Sequence, residues 1–171
     1  MAIRNILHDN DPFLTKKSRE VDTFNNRLHT LLDDMRQTML DVGGVGLAAP
    51  QVGVLRRAIL VCEIDENESD DADDEVEHNI IELINPEIIE IEGEQTGNEA
   101  CLSVPGRGGI VTRPRAVKIR AQDRNGSYFE LICEDTTARV ACHEVDHLNG
   151  ILYTAIAERM LTKKEMDELE S

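Results

Sequence analysis

The sequence predicts an α+β fold: one domain, with mainly antiparallel strands packed around a central helix that bears an HExxH motif. Three observations lead there. Apolar runs and alternations of strand type cluster in the middle of the chain, helical periodicities flank them, and neither repeats nor a linker interrupt the 171 residues. Forty per cent of the residues are apolar and only 3% aromatic, which is enough for one continuous, aliphatic core.

Each element has its own signal. Phe24, Leu28, Leu31, Leu32, Met35 and Met39 fall on one face of a helix, with Asp22 or Thr23 as its N-cap and Gly43 just past its end. A Gly-rich stretch, residues 43–53, follows, and the apolar run Ala58 to Cys62 reads as a buried strand. Ile80 to Ile84 and Ile88 to Ile91 read as two strands separated by an Asn85-Pro86 turn. Val117, Ile119 and Ala121 alternate with Lys118, Arg120 and Gln122. An Asp123-Arg124-Asn125-Gly126 turn then leads into Tyr128 to Cys133, completing a β-hairpin. A last helix covers about 136–148, capped by Asp135 or Thr136 and closed by Asn149-Gly150.

Charge and cysteine content narrow the function classes. The net charge is −16, but residues 63–94 hold 15 acids and no Lys or Arg, so the remaining 139 residues are nearly neutral. The acid forms a solvated loop at about 63–79 rather than a property of the whole surface, and it lacks the order of an EF-hand loop. No broad basic surface suggests direct nucleic-acid binding. No run of 18 apolar residues suggests a membrane span, and the N-terminus lacks the look of a signal or transit peptide, so a cytoplasmic protein is expected. The four cysteines form no CxxC pair and are read as thiols.

The chemistry-bearing motif is His143-Glu144-Val145-Asp146-His147. Residues four apart lie one turn apart on the same helix face, so both imidazoles can reach one metal ion. Glu144 beside them is placed to take a proton from water rather than to ligate. Read alone, the pair could also be two buried, hydrogen-bonded histidines. A third ligand has to come from upstream. The position where a metzincin would carry its third His is Tyr153, and the chain after Glu165 is too short for a thermolysin-like second lobe. Upstream lies Glu99-Ala100-Cys101-Leu102-Ser103-Val104-Pro105-Gly106, in which Cys101 alone reads as either a small buried hydrophobe or a ligand.

Taken together and in this order, GVGLAAPQVG (44–53), EACLSVPG (99–106) and HEVDHLNG (143–150) resemble the three signature motifs of the peptide deformylases. Members of that family are metal-dependent hydrolases of protein biosynthesis that remove the formyl group from the N-terminal methionine of new polypeptides. The resemblance implies that Cys101, His143 and His147 ligate a divalent metal, Fe(II) first, with Zn²⁺ or Ni²⁺ also suited to one thiolate and two imidazoles. It implies Glu144 as general acid and base, with the Gln51 amide and the Leu102 backbone N–H as donors to the developing oxyanion. Val45, Gly46 and Ala100 would line the substrate, an N-formylmethionyl peptide lying as an added strand. Two positions depart from the family's pattern: Ala100 replaces the usual Gly before the ligand cysteine, and Cys142 replaces the usual Gln before the first ligand histidine. Ala100 could crowd the substrate or require a different φ. Cys142 points about 100° away from its neighbour and is read as packing. A small metallopeptidase on the same scaffold and a catalytically silent peptide-binding member are the competing readings.

Overall fold

Helix α1 (Asn26–Asp41) is the first long element of the computed structural model, which describes residues 2–65 and 79–170. Its N-cap is Asn25, whose side chain accepts from the Leu28 N–H, and not the expected Asp22 or Thr23. An Asx carbonyl reaches the third N–H of the helix only from the position immediately outside the first turn, so the helix starts after Phe24 rather than on it. At the other end Gly43 adopts φ +68°, as the sequence leads one to expect.

The strands are β1 (Gly46–Ala48), β2 (Ala58–Cys62), β3 (Ile80–Glu92), β4 (Gln95–Cys101), β5 (Val104–Arg113), β6 (Ala116–Gln122), β7 (Tyr128–Glu134) and β8 (Arg159–Met160). They form a five-stranded sheet in the order β1-β2-β3-β6-β7 and a three-stranded sheet β4-β5-β8, with antiparallel pairing throughout. Helix α2 (Asp135–Leu148) touches both sheets and is the central helix. Short helices α3 (Tyr153–Ile156) and α4 (Lys163–Glu170) close the chain.

Strand β2 shows why the layers form. Its five residues are all buried, because Ile59 and Val61 face α2 while Ala58 and Leu60 face α1. A strand covered on both faces reads as an unbroken apolar run. Ala138, Ala141, Val145 and Leu148 of α2 complete one cluster, and Leu32, Met35 and Met39 of α1 complete the other.

Two expectations need correction. Asn85-Pro86 does not separate two strands: β3 runs through it, with a register slip between Ile84 and Glu87. Pro86 has no N–H for a ladder and is tolerated at a bulge. Asn85 takes φ 52° there, and its side chain bonds both backbone groups of Val21 and the Gln122 amide. Helix α2 begins at Asp135 itself, at φ 54°, after Glu134, and no side-chain cap is formed. The 123–126 turn is as expected, with the Asp123 carboxylate accepting from the Asn125 and Ser127 N–H groups. All four cysteines are free thiols and buried. Residues 66–78, most of the acidic loop, lie outside the described residues, and among the described residues no helix is long and apolar enough to cross a membrane.

Candidate metal and catalytic site

Three elements bring the expected residues together. Helix α2 carries His143, Glu144 and His147, while Cys101 ends β4 at the corner of the β4–β5 hairpin, opposite Val104. A 3₁₀ turn, Ala49–Val52, directly after β1 carries Gln51. The N-terminal segment ties the latter two pieces to each other, its Leu7 and Asp9 N–H groups donating to the carbonyls of Gln51 and Ser103.

One donor atom each from Cys101, His143 and His147 lies within 4.8 Å of the others, and all three residues are buried. The Cys101 Sγ is 3.3 Å from the His147 Nε2. A thiolate and an imidazole on one tetrahedral ion, at ~2.3 and ~2.0 Å, stand about 3.5 Å apart, so the donor set fits a divalent metal in both chemistry and spacing. His143 Nδ1 lies 2.5 Å from a Glu99 oxygen, which leaves Nε2 as its free donor. That arrangement of carboxylate behind histidine orients a metal-binding ring.

The electrostatics favour a cation here. Burial opposes charge on His143, but hydrogen bonds to Cys101 and Glu99 outweigh it and raise its pKa to about 10. This means that the anions around the site demand positive charge, which a metal supplies as well as a proton does. Burial first, with the His143 charge second, lowers His147 to about 3 and keeps that ring neutral, as a ligand must be. Burial also raises the fully enclosed Glu144 carboxyl to about 7, the range in which a general base works at neutral pH. Among the described residues its Oε1 and the His147 Nδ1 are buried with no hydrogen-bond partner.

Gln51 is 1% exposed and held by both ends of its amide. Oε1 accepts from the Ala48 N–H at 2.9 Å, and Nε2 donates to the Ser103 Oγ at 3.0 Å, 3.7 Å from the Cys101 Sγ. The amide hydrogens therefore face the sulfur. Leu102 follows Cys101 in the hairpin corner. Gly46 lies on β1, an edge of the five-stranded sheet, so one side of that strand is open. A Cβ on Gly46 would come within 2.5 Å of the Glu144 Oε2 and 2.8 Å of the Val140 Cγ1, so only glycine lets β1 lie against the face of α2 that carries Glu144. Val45 is exposed, and its carbonyl accepts from the Cys62 N–H.

Both departures from the family pattern are accommodated. Ala100 is exposed at a ladder slip between Glu99 and Cys101 and does not take a positive φ. Cys142 packs in the core against the five-stranded sheet, and burial foremost pushes its thiol up to about 11.

Sequence reasoning missed the charged hub behind the site. Glu99, 7% exposed, accepts from Arg113 Nε and Nη2, from Arg139 Nη1 and from His143, and Arg113 also pairs with Asp146. Burial would raise the Glu99 carboxyl, but the hydrogen bonds from His143 and Arg113 hold it at about 2. One clue was present: residues i and i+2 of a strand share a face, and Glu99 stands two before Cys101. No local signal marks Arg113 or Arg139.

The chain is also similar to known proteins. Residues 3–163 match the sequence family described as Polypeptide deformylase. The chain is 51% identical to a peptide deformylase of Alkaliphilus metalliredigens over 154 residues, covering 90% of this chain and 96% of that one. It is similar in structure to a class I type b peptide deformylase of Acinetobacter baumannii (TM-score 0.82, 34% identity, 91% of this chain and 99% of that one). The same Acinetobacter enzyme solved with Met-Ala-Ser bound gives a TM-score of 0.81 at 35% identity, over 90% of this chain and 98% of that one.

Proposed function

Because the chain belongs to the polypeptide deformylase family, we propose that Cys101, His143 and His147 hold the divalent metal on which its hydrolysis of N-formyl groups depends. The activity itself is that of the family: a metal-dependent hydrolase that removes the formyl group from new polypeptides. The observation that carries the site assignment is the convergence of one sulfur and two ring nitrogens within 4.8 Å, beside a carboxyl raised to about 7.

A divalent ion in this donor set supplies Lewis acidity, polarising the formyl oxygen and bringing the pKa of water toward ~7. The side chains do the rest. Glu144 accepts a proton from the attacking water as the oxygen bonds to the formyl carbon, then delivers it to the amine nitrogen as the C–N bond breaks, so formate and a free N-terminus leave together. The Gln51 Nε2 and the Leu102 N–H donate to the carbonyl oxygen as it becomes negative. A preorganised donor of that kind is worth roughly 2.7–4 kcal/mol. The peptide lies as an added strand along Val45 and Gly46, with Ala100 on its other side. The Met-Ala-Ser complex of the Acinetobacter enzyme supports a peptide ligand of this kind.

Fe(II) is the proposed working metal, nascent N-formylmethionyl chains the substrate, and the cytoplasm the place of action. Residues 1–171 act as one catalytic domain. The test is formate release from formyl-Met-Ala by anaerobically prepared protein, with bound metal quantified in the same sample. One iron per chain, activity that decays in air and survival of that activity after exchange for Ni²⁺ are expected. Equal air stability of the iron and nickel forms would refute iron, and unchanged turnover in Glu144→Gln would refute the proton route.

A further inference from the structure

A cleft of about 680 Å³ opens between the start of α1, the segment leading into it and residues 53–56, and its lining includes none of the metal or catalytic residues. That volume is in the ordinary range for a small-molecule site. Its charge is out of keeping with the rest of the molecule. Arg19, Arg27 and Arg56 all line it, and among the described residues their side chains make no hydrogen bond or ion pair. Arg4 on the same lining is closed on Asp34, and Arg113, Arg115, Arg124, Arg139 and Arg159 each pair with a carboxylate elsewhere. The cleft's one lining carboxylate is Asp22, so with Arg4 neutralised the wall carries a net +2. The first turn of α1, which opens into the cleft, holds no acidic residue, so the helix dipole adds to the positive potential. The lining also includes Phe13, with the Lys16 ammonium over its ring at 5.8 Å, and the largely buried Leu28 and Leu31.

We propose that this cleft is a second ligand site, for a small organic phosphate monoester. Its head sits among the Arg19, Arg27 and Arg56 guanidinium groups, and its apolar or aromatic body rests on Phe13, Leu28 and Leu31. A phosphate monoester carries about −1.5 to −2 near pH 7, which matches the wall, whereas a carboxylate leaves about one charge unmatched. Guanidinium forks meet phosphate oxygens in pairs, and three forks around one head supply more donors than a two-oxygen carboxylate can use.

Isothermal titration of the metal-loaded protein with 1-naphthyl phosphate tests this, with inorganic phosphate and 1-naphthoate as comparators. Saturable binding of one molecule per chain is expected, at least tenfold tighter than either comparator. Arg27→Gln weakens it about tenfold, and the double variant Arg19→Gln/Arg56→Gln weakens it further. Formate release stays at the unmodified rate in both variants, and their thermal transitions stay in place because all three side chains are exposed. Binding that is undetectable, that both variants retain in full (as binding at the metal would be) or that 1-naphthoate matches would overturn the proposal.

Discussion

Replacing Glu99 isolates what the charged hub contributes. Its carboxylate serves three partners at once: two bonds from Arg113 at 2.5 and 3.1 Å, one from Arg139 at 2.9 Å and one from the His143 Nδ1. Glu99→Ala leaves the 5%-exposed Arg113 guanidinium with Asp146 as its remaining carboxylate and takes from the buried His143 ring its Nδ1 partner. Breaking a buried ion pair from one side costs roughly 3–5 kcal/mol. For a chain of this length each kcal/mol moves Tm by about 2–4 °C, so a fall of roughly 6–20 °C follows. Glu99→Gln keeps the shape and one acceptor oxygen, but it removes the charge and turns an N–H₂ toward Arg113 or His143. The ring of His143 then loses the partner that fixes its orientation, and metal affinity falls by about 10–100-fold, the usual cost of losing such a support. Thermal unfolding of the metal-free protein reads the first effect, and a chelator competition titration reads the second. The two readouts separate positioning from bulk stability, because a destabilised fold that still binds metal normally would show only the first. Glu99→Gln with metal affinity within twofold of the unmodified protein would refute the positioning role.

Other perturbations test separate parts of the structure. Gly46→Ala places a methyl group against the Glu144 Oε2 and Val140, so β1 or the carboxyl must move. Displacement of about 1 Å at a reacting group costs on the order of 100-fold, so kcat/KM for formyl-Met-Ala falls to about a hundredth while the metal stays bound. Leu32→Ala opens a void in the fully buried cluster under α1 and lowers stability by about 2–5 kcal/mol in denaturant unfolding, with kcat unchanged. The Asp34 carboxyl is held below its ordinary value chiefly by the Ala2 N–H, against the cost of burial, and then by Arg4. A depressed pKa contributes stability above the unfolded value of about 4 and loses it as pH falls below that. The Tm gap between the unmodified protein and Asp34→Asn therefore narrows between pH 6 and pH 3, and a gap that stays constant would contradict the assignment.

Which features were legible in the sequence follows from how local their causes are. The β2 run, the β6–β7 hairpin and the α1 face all rest on periodicities within a dozen residues, and they appear where those periodicities place them. The ends of helices depend on single backbone conformations, and there Asn25 and Glu134 displaced the expected caps. Asn85-Pro86 carries the same residues whether it turns a chain or bulges a strand. The choice fell to Val21 and Gln122, which bind the Asn85 side chain from 64 and 37 residues away. Strands β4 and β5 escaped notice because Gly97, Gly106, Gly108 and Gly109 dilute their alternation. The grouping of Cys101, His143 and His147 was legible through helix spacing and motif resemblance. The charged hub was not, because Arg113 and Arg139 are joined to Glu99 only by the hairpin and the crossing of α2.

The two histidines proposed as ligands are held by different means. His143 is oriented by a bond to Glu99, which is itself fixed by two arginines, whereas among the described residues the buried His147 Nδ1 has no hydrogen-bond partner. The orientation of His147 therefore comes from packing and from the 3.3 Å contact of its Nε2 with the Cys101 Sγ, one helical turn beyond its better-supported neighbour and 5.0 Å from it between ring centroids. A charge-assisted hydrogen bond resists rotation about χ2 more than apolar contact does. The His143 ring is therefore the more firmly held of the two. The HExxH spacing already sets the distance between the histidines; the hub, with the bonds from Gln95 to the Asp135 carbonyl and from Arg139 to the Val111 carbonyl, ties the β4–β5 hairpin to α2 so that the sulfur meets them.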